Sequence, residues 1–317
     1  MKRKIRFIIN PHSGIRRKSR IPVLIEKIFS ADSFDIDIQF TEFPGHATEL
    51  SKQAVDEGFD TVVAVGGDGS INETARELID TNVKLGIVPH GSGNGLARYL
   101  NIPLNPKKAL ELIKNDMNFK IDCGTCNNQF FFSNFGVGFD VQVAKQFGRH
   151  KIRGFLSYSW AVIYQFYFKY KPIEIIITEA DKRKRLQLFL MTVFNTNQYG
   201  FNIGLAPNAK AYDGNFDVAV VKPFHKFKLL FYGLAILLKK TNWVKDLHIK
   251  KEQNLVILNL KKEKMLYQID GEVNETKDNL IIGIKKQALN VIGSERFLKK
   301  NTEVTHEKEK ENYHLHG

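Results

Sequence analysis

The first third of the chain alternates short apolar runs with amphipathic segments. Four runs rich in Ile, Val and Phe have the length of strands, and five segments repeat apolar residues at helical spacing. The predicted strands are Ile5–Asn10, Phe34–Phe40, Thr61–Val65 and Lys84–Val88, and the predicted helices are Ile21–Phe29, Thr48–Asp56, Asn72–Ile79, Gly95–Tyr99 and Lys107–Lys114. Strands that alternate with helices predict a parallel sheet covered on both faces, with ligands beyond the carboxyl ends of its strands.

After about residue 124 the pattern changes to strands separated by turns. The predicted strands are Phe130–Phe132, Ile173–Thr178, Leu186–Phe194, Phe216–Val221, Leu255–Leu260, Met265–Ile269 and Leu280–Ile284. Two helical insertions interrupt them, Gly154–Tyr170 and Phe227–Lys240. We therefore expect an α/β domain over residues 1–124, a mostly antiparallel β-sandwich over 125–300, and a disordered tail over 301–317, which lacks apolar periodicity.

The composition supports two cores and a basic surface. The 317 residues are 43% apolar, and 47 Lys and Arg against 34 Asp and Glu give a net charge of +13. Such a charge attracts phosphorylated ligands, anionic membranes or nucleic acid. Because we find no zinc-finger pattern, RNA-recognition signature or basic coiled coil, we do not expect a nucleic-acid partner.

No segment has the pattern of a signal peptide or a membrane span. The apolar run Ile5–Ile9 is too short for the core of a signal peptide, and the stretch from Phe227 to Leu238 is shorter than the roughly 20 residues that span a bilayer. That stretch is apolar nearly all round, so it is either buried between sheets or in contact with membrane, and we expect burial by protein. We expect a cytoplasmic protein.

The two cysteines form a C-x-x-C sequence, Cys123 and Cys126, with no further cysteine to complete a zinc site. The pair Asn127-Asn128 that follows predicts a hairpin turn. Positions three apart on a strand face opposite sides, which hinders a disulfide and a shared metal. We expect two ordinary reduced thiols.

Glycine-rich turns follow three of the predicted strands. They are Gly66-Gly67-Asp68-Gly69-Ser70, Gly91-Ser92-Gly93-Asn94-Gly95, and Asn10-Pro11-His12-Ser13-Gly14, the last followed by Arg16, Arg17, Lys18 and Arg20. Glycines that open a helix let backbone N–H groups approach an anion, so the turns are typical of a phosphate site. Ordinary structural turns would give the same sequences, and the third could equally be a solvated loop. No Walker sequence and no G-x-G-x-x-G is present, which disfavours P-loop and dinucleotide folds.

The order of these motifs resembles the diacylglycerol kinase catalytic-domain family, which includes bacterial diacylglycerol and other lipid kinases, sphingosine kinases and ceramide kinases. The resemblance rests on Asn10-Pro-x-Ser-Gly14, Gly66-Gly-Asp-Gly-Ser-x-Asn-Glu73, Pro89-x-Gly-Ser-Gly-Asn-Gly-Leu-Ala97 and Asp270-Gly271-Glu272, and runs from about residue 4 to about 297. It implies a nucleotide-binding α/β domain and a β-sandwich substrate and catalytic domain, as in NAD kinases and phosphofructokinases, with ATP in the cleft between them.

The resemblance also implies which residues form the site. Nucleotide-binding positions are Asn10, Ser13, Thr41, Gly66, Gly67, Asp68, Gly69, Ser70, Glu73, Gly91, Ser92, Gly93, Asn94 and Glu272. Asp270 resembles the catalytic aspartate that orients the acceptor hydroxyl and takes its proton. Glu272 is expected to assist Mg²⁺ or the phosphates. Asp213 and Asp217 resemble a segment associated with a structural magnesium, although an ordinary Asp-Gly turn would also explain them.

The substrate side is expected to follow residue 134. Asp140 resembles a family residue that meets the head-group hydroxyl, and a helix cap is the structural explanation that stays open. Arg153 belongs to a basic group with Arg149, His150 and Lys151, ahead of an aromatic helical segment. A basic entrance followed by aromatic residues suits an enzyme that takes a lipid from an anionic surface, although such aromatic residues also form cores.

The sequence therefore predicts an ATP- and Mg²⁺-dependent lipid kinase, peripherally associated with a membrane, that phosphorylates a primary hydroxyl. Diacylglycerol is the expected acceptor, and the Gly-Ser-Gly-Asn-Gly-Leu-Ala sequence leaves a sphingoid base or ceramide open. A soluble-metabolite kinase of the NAD kinase type and a non-catalytic lipid- or nucleotide-binding regulator also stay open. The oligomeric state is not fixed by the sequence, and a homodimer is compatible with it.

Overall fold

The computed structural model describes residues 2–13, 20–149, 160, 162–169, 171–179, 182–198, 204–295 and 297, and the predicted tail over 301–317 lies outside them. The N-terminal part is an α/β domain with a mostly parallel sheet, as predicted. Its elements are β1 (Arg3–Ile9), α1 (Ile21–Ile28), β2 (Phe34–Phe40), α2 (His46–Asp56), β3 (Thr61–Gly66), α3 (Asp68–Arg76), β4 (Lys84–Pro89), α4 (Gly95–Tyr99) and α5 (Pro106–Asn115). The strands lie in the order β2-β1-β3-β4, all parallel.

The C-terminal part is the predicted antiparallel sandwich. Its strands are β5 (Asn118–Cys126), β6 (Gln129–Phe131), β7 (Asn134–Gly138), β8 (Ile173–Glu179), β9 (Lys182–Leu188), β10 (Leu190–Phe194), β11 (Phe216–Val221), β12 (Leu247–Glu252), β13 (Asn254–Leu258), β14 (Met265–Ile269), β15 (Glu272–Thr276) and β16 (Leu280–Ile292). Its helical elements are α6 (Phe139–Arg149), a π-helical turn (Gln165–Lys169), α7 (Lys228–Leu237) and a 3₁₀ turn (Thr241–Trp243). Strands β12-β11-β10-β7-β14-β15 form one sheet, the outer sheet.

The core of the sandwich lies between the outer sheet and strands β5, β6, β8, β9, β13 and β16. Inward residues alternate with outward ones along each strand, as the pleat requires. On β7, Phe135 and Val137 enter this core, whereas Gly136 faces outward under α6. On β10, Met191 and Val193 point inward and Thr192 outward. The outer face of the outer sheet is therefore available for a polar site.

Strand β16 joins the two parts of the molecule. It pairs with β13 and β5 in the sandwich and reaches β4 of the parallel sheet, where Val291 lies opposite Leu85. We predicted a strand that ended at Ile284, because the lysines that follow interrupt the apolar pattern. The strand continues through a register shift between Lys285 and Leu289.

The single strand predicted over Leu186–Phe194 is wrong. The run is two strands, β9 and β10, in different sheets, with Phe189 between them. The N–H of Phe189 donates to the carbonyl of Val221, and its carbonyl accepts from Phe139. The run contains no glycine or proline, so the sequence gives no turn signal at the point where the chain changes sheets.

The cysteines behave as their spacing predicts. Both are buried and free; Cys123 packs in the core of the α/β domain and Cys126 in the core of the sandwich. Asn127, with φ of 52°, forms the predicted turn between β5 and β6. Burial raises the pKa of the Cys126 thiol to about 12, which disfavours the reactive thiolate.

The prediction that protein buries the second helical insertion is wrong for one face of it. Helix α7 packs on the sandwich through Tyr232 and Ala235, while Leu230 and Leu234 on its other face are exposed. Its all-round apolar composition contains no signal for which face is covered. Among the described residues, every helix is too short or too polar to traverse a bilayer.

Candidate active site

The carboxyl ends of β3 and β4 bring two glycine-rich turns into backbone contact. Gly66 and Pro89 are register partners, and the N–H of His90 donates to the carbonyl of Gly66 over 2.7 Å. A Cβ added to Gly91 would lie 2.6 Å from the Cα of Gly67. The two turns therefore require glycine here because the backbones themselves touch.

Helix α3 begins at Asp68, inside the first glycine-rich turn, four residues before the predicted start at Asn72. The Asp68 carboxylate accepts hydrogen bonds from the N–H groups of Asn94 (2.8 Å) and Gly95 (2.7 Å). It thus caps α4 and ties the second turn to the first. Burial, together with the nearby Asp270, raises the Asp68 pKa, and the two N–H donors oppose the rise.

Asn94 fixes the shape of its own turn. Its side-chain oxygen accepts from the N–H of Gly91 (2.9 Å) and its amide donates to the Gly91 carbonyl (2.8 Å). The residue is buried and left-handed, with φ of 52°, a conformation that Asn tolerates. Arg98 closes the same turn by donating to the carbonyl of Gly93. The loop between β4 and α4 is held in one conformation by these bonds.

The predicted residues of β1 and β2 lie at the same edge of the sheet. The Asn10 amide donates to the Ser70 hydroxyl over 3.0 Å, and the Ser13 hydroxyl lies 3.5 Å from the position of a Cβ on Gly66. Thr41 is buried at the end of β2, and its N–H donates to the carbonyl of Ile9. Of the basic run after Asn10, Arg20 is described and the other members lie outside the described residues.

Asp270 sits at the turn between β14 and β15 and reaches across to the α/β domain. Its Oδ1 accepts from the N–H groups of Ser133 (2.8 Å) and Asn134 (3.0 Å). Its Oδ2 accepts from the N–H of Phe132 (2.9 Å) and from the Asn72 amide (2.8 Å). Asp270 and Gly271 are both left-handed, with φ of 48° and 88°, as a two-residue hairpin requires.

The four donors fix the orientation of the Asp270 carboxylate and set its protonation. Burial raises the Asp270 pKa, and the N–H groups of residues 132–134 and the Asn72 amide oppose the rise by favouring the charged form. Asn72 is the one side chain among the four donors. Asp68, Asn72 and Asp270 line one cleft together with Ile71, Leu96, Phe132 and Ser133.

Glu272 brings a second carboxylate to the first glycine-rich turn. Its Oε1 lies 2.8 Å from the position that a Cβ on Gly69 would take. Partial desolvation of the carboxylate raises the Glu272 pKa, the negative charges of Glu73 and Asp270 raise it further, and Arg76 opposes them. Neighbouring carboxylates that repel one another favour a bound cation.

These carboxylates fit a magnesium ion that is shared with phosphate oxygens. Mg²⁺ prefers oxygen ligands and in kinases is held by one or two carboxylates plus the phosphates of the nucleotide. Within the described ranges, no three His, Cys, Asp or Glu side chains group closely enough to hold a metal alone. Glu272 with Glu73 is therefore the pair we consider for an ion that arrives with a nucleotide.

Asp213 and Asp217, the predicted structural magnesium pair, already share a cation of the protein. The Lys251 ammonium lies 2.8 Å from the Asp213 carboxylate and 3.2 Å from that of Asp217. Asp217 is buried, which raises its pKa, while Lys251 opposes the rise. A metal ion between the two carboxylates would have to displace Lys251, so the pair as it stands does not fit the ion.

Asp140 lies in the first turn of α6 and is buried on the outer face of the outer sheet. It accepts from the N–H of Val141 (2.9 Å), from the Thr192 hydroxyl (3.3 Å) and from the Gln268 amide (3.3 Å). Gly136 makes room for it, because a Cβ there would overlap the carboxylate. Burial raises the Asp140 pKa to about 7.

Gln268 connects Asp140 to the turn between β14 and β15. Its amide also donates to the Asn134 side chain (2.7 Å), and its carbonyl oxygen accepts from the N–H of Gly271 (2.7 Å). It is almost fully buried. One side chain thus spans the interval between the expected substrate carboxylate and the turn that carries Asp270.

Arg153 and its neighbours His150 and Lys151 lie outside the described residues, so the predicted basic entrance is not placed. Asn72 and Gln268 had no predicted role. Asn72 was visible as a member of the first glycine motif, whereas the role of Gln268 becomes visible only through its burial and its hydrogen bonds.

Two family models match the chain, one for each part. The diacylglycerol kinase catalytic domain matches residues 4–126, and the YegS C-terminal NAD kinase beta sandwich-like domain matches residues 133–293. The chain is 30% identical to a diacylglycerol kinase of Bacillus subtilis over 281 residues, 85% of this chain and 90% of the relative. This chain belongs to the diacylglycerol kinase family. It is a lipid kinase, an enzyme that phosphorylates an alcohol group, and its family implies ATP as the phosphate donor.

Other relatives agree with this assignment. The lipid kinase is 28% identical to a diacylglycerol kinase of Staphylococcus carnosus over 70% of this chain and 74% of the relative. Its fold is shared with a diacylglycerol kinase from Bacillus anthracis (TM-score 0.68, 21% identity, 93% of this chain and 98% of the other). It is shared more distantly with an NAD kinase from Archaeoglobus fulgidus solved in complex with ATP (TM-score 0.52, 12% identity, 93% and 96%).

Proposed function

We propose that this lipid kinase transfers the γ-phosphate of ATP, with Mg²⁺, to the primary hydroxyl of diacylglycerol at the cytoplasmic surface of a membrane. One observation carries the proposal. The Asn72 amide lies 2.8 Å from the carboxylate of Asp270, and the Glu272 carboxylate lies against Gly69. A turn almost 200 residues further along the chain thus meets the glycine-rich turn that suits phosphates.

The glycine-rich turns supply the phosphate site in this proposal. The turns at residues 66–70 and 91–93 contact the phosphates through backbone N–H groups other than that of Gly91, which already donates to Asn94, and Asn10, Ser13 and Thr41 contact the remainder of the nucleotide. Asp68 and Asn94 act indirectly, because their hydrogen bonds hold the second turn against the first. A rigid pair of turns lowers the cost of ordering the site when ATP binds.

Asp270 orients the acceptor hydroxyl and receives its proton as the phosphoryl group arrives. The three backbone donors keep the carboxylate in place, and the incoming hydroxyl replaces the Asn72 amide at Oδ2, the one position served by a side chain. Fixed donors around a catalytic carboxylate set its direction before the substrate binds. Asp140 contacts the head group on the other side of Gln268.

Magnesium would be held by Glu272 and Glu73 together with phosphate oxygens. An ion held there would supply positive charge against the β- and γ-oxygens. Desolvation and the negative charges of Glu73 and Asp270 together raise the Glu272 pKa, and a cation bound beside Glu272 would relieve that repulsion. Asp213 and Asp217 are not included, since Lys251 occupies the position between them.

Labelled ATP and a panel of acceptors test the reaction. We expect label in phosphatidate when the purified enzyme meets diacylglycerol with Mg²⁺, and less than a tenth as much with sphingosine, ceramide or NAD, by the roughly tenfold or larger discrimination that a shaped site gives. Label in sphingosine phosphate or ceramide phosphate alone would reassign the acceptor, and label in NADP alone would reject a lipid. No transfer to any acceptor would contradict the proposal as a whole.

Gly91→Ala tests the contact between the turns. Because the added Cβ would meet the Gly67 backbone at 2.6 Å, the turns must separate, and we expect ATP affinity to fall about tenfold, the scale of a tight overpacking. Titration calorimetry with ATP measures the change. Gly233→Ala is the matched control, since a Cβ at Gly233 has no heavy atom within 4 Å. Unchanged affinity in Gly91→Ala would contradict the phosphate site.

A further inference from the structure

Helix α7 has two apolar faces, of which the protein uses one. Its inner face packs on the sandwich through Leu229, Tyr232, Ala235 and Ile236. The outward residues follow at helical spacing and are between 50% and 87% exposed: Phe227, Leu230, Phe231, Leu234, Leu237 and Leu238. We call these six residues the outer α7 face. Contiguous outward apolar residues of this kind mark an interaction surface.

Positive charge surrounds the outer α7 face. Residues 222–245 contain six lysines and no Asp or Glu. Lys226 precedes the helix, Lys228 is its first residue and pairs with Asp246, and Lys239 and Lys240 follow it. The Lys240 ammonium lies over the ring of Trp243 at 4.4 Å. Trp243 is itself 44% exposed, and its ring stacks against that of Phe231. An apolar helix face with lysines at both ends and a tryptophan at its margin is the pattern of a helix that lies in a membrane interface.

The same side of the molecule carries the substrate carboxylate. The Phe224 ring contacts Phe166 of the π-helical turn and Phe189, and Phe189 stacks on Phe139, the residue before Asp140. Phe168 adjoins this region and is 73% exposed. The outer α7 face and Asp140 therefore share the outer side of the outer sheet, separated by a short layer of aromatic rings.

We propose that the outer α7 face docks on an anionic phospholipid bilayer and holds the kinase with its acceptor side toward the lipid. The proposal rests on the lipid-kinase function proposed above. Charge decides between a bilayer and a second copy of the chain. Two copies, each with a net charge of +13, would repel one another where their lysines meet. On an anionic surface, each such lysine instead raises the binding affinity about fivefold.

Vesicle sedimentation tests the surface independently of catalysis. We expect the wild type to bind phosphatidylglycerol vesicles at least tenfold more tightly than phosphatidylcholine vesicles. Its affinity for phosphatidylglycerol vesicles should fall as the salt concentration rises. Leu230→Glu with Leu234→Glu should reduce binding to phosphatidylglycerol vesicles at least tenfold, since each leucine alone accounts for roughly that factor on burial. The control is Leu104→Glu with Leu260→Glu, two other exposed leucines, which changes the net charge equally.

Equal vesicle binding by the two double variants would overturn the docking surface, and so would equal binding of the wild type to both vesicle types. A wild-type dimer that the Leu230/Leu234 variant dissociates, with vesicle binding unchanged, would assign the face to a second copy and also overturn it. Light scattering measures whether the protein is a monomer or a dimer. Trp243 gives a direct readout: in a Trp160→Phe background its emission should shift to the blue on phosphatidylglycerol vesicles.

Activity separates this proposal from the proposed function. With dihexanoylglycerol dissolved as monomers, the Leu230/Leu234 variant should phosphorylate at the wild-type rate, whereas with long-chain diacylglycerol in phosphatidylglycerol vesicles it should lose at least tenfold. Loss with both acceptors would overturn a docking role. No transfer by the wild type to either acceptor would contradict the proposed reaction, while the binding measurements would still decide the surface.

Discussion

Asp270→Asn is expected to lower kcat for phosphoryl transfer by at least roughly 100-fold, the scale of a general-base contribution. An amide can neither take the proton of the acceptor hydroxyl nor accept four hydrogen bonds. Its NH₂ group would take the place of one carboxylate oxygen and face the two donors that this oxygen now accepts from. These are Ser133 and Asn134 at Oδ1, or Phe132 and Asn72 at Oδ2. We therefore also expect a lower melting temperature, because two donors lose their acceptor.

Three measurements keep the catalytic and structural effects of Asp270→Asn apart. Circular dichroism shows whether the variant is folded, and ATP titration shows whether the phosphate site is retained. Asp278→Asn, the same change at an exposed carboxyl in the following turn, is the control and should leave kcat unchanged. In the wild type, burial raises the Asp270 pKa, so kcat should fall as the pH is lowered through that pKa. A folded Asp270→Asn enzyme with more than about a tenth of wild-type kcat, outside the range of a general base, would contradict the assignment.

The second large effect that we expect is a change in the pH dependence of the free energy of unfolding when Asp140 is replaced by asparagine. Its pKa in the folded protein is about 7, raised by burial from an ordinary value of 3.8. A raised carboxyl pKa means that folding favours the protonated form, so its contribution to stability is present below about pH 4 and is lost as the pH rises through about 7. Asp140→Asn removes that loss, because an amide stays neutral.

The free energy of unfolding of Asp140→Asn, relative to the wild type, should therefore increase between about pH 4 and pH 7 and level off above. A shift of about three pKa units corresponds to at most about 4 kcal/mol. Urea unfolding at a series of pH values measures the difference. The side-chain partners of Asp140, Thr192 and Gln268, do not titrate, so the difference reports Asp140 itself. Asp278→Asn should give a flat difference, and a flat difference for Asp140→Asn would refute the buried carboxyl.

The sequence predicted the parallel sheet and the position of the glycine-rich turns at one edge of it, because both depend on local pattern. Four apolar runs, each followed by polar or glycine residues, place Asn10, Thr41, Gly66 and Gly91 at one sheet edge without further information. That Asp270 faces these turns followed from the order of motifs that resembles the family. Composition alone predicts an ordinary hairpin at Asp270-Gly271.

Other features depend on tertiary contacts that the sequence does not express. Strands β12 and β15 carry lysines and glutamates at exposed edges, so they lack the apolar alternation that identifies a strand. The role of Asp68 as a cap on α4 needs Asn94 and Gly95 to be close in space, which no spacing shows. The split of the run around Phe189 and the outer α7 face also become visible only once the partners of each residue are known.

The position of β16 constrains how the molecule is assembled during synthesis. On its side away from β3, strand β4 pairs with β16 at Val291, so this edge of β4 stays unpaired until β16, about 200 residues further along the chain, has been synthesised. Domains usually fold as their residues emerge, and exposed strand edges invite association with other chains. The parallel sheet of this kinase is therefore completed only when β16 has been made, and the nascent chain exposes the unpaired edge of β4 until then.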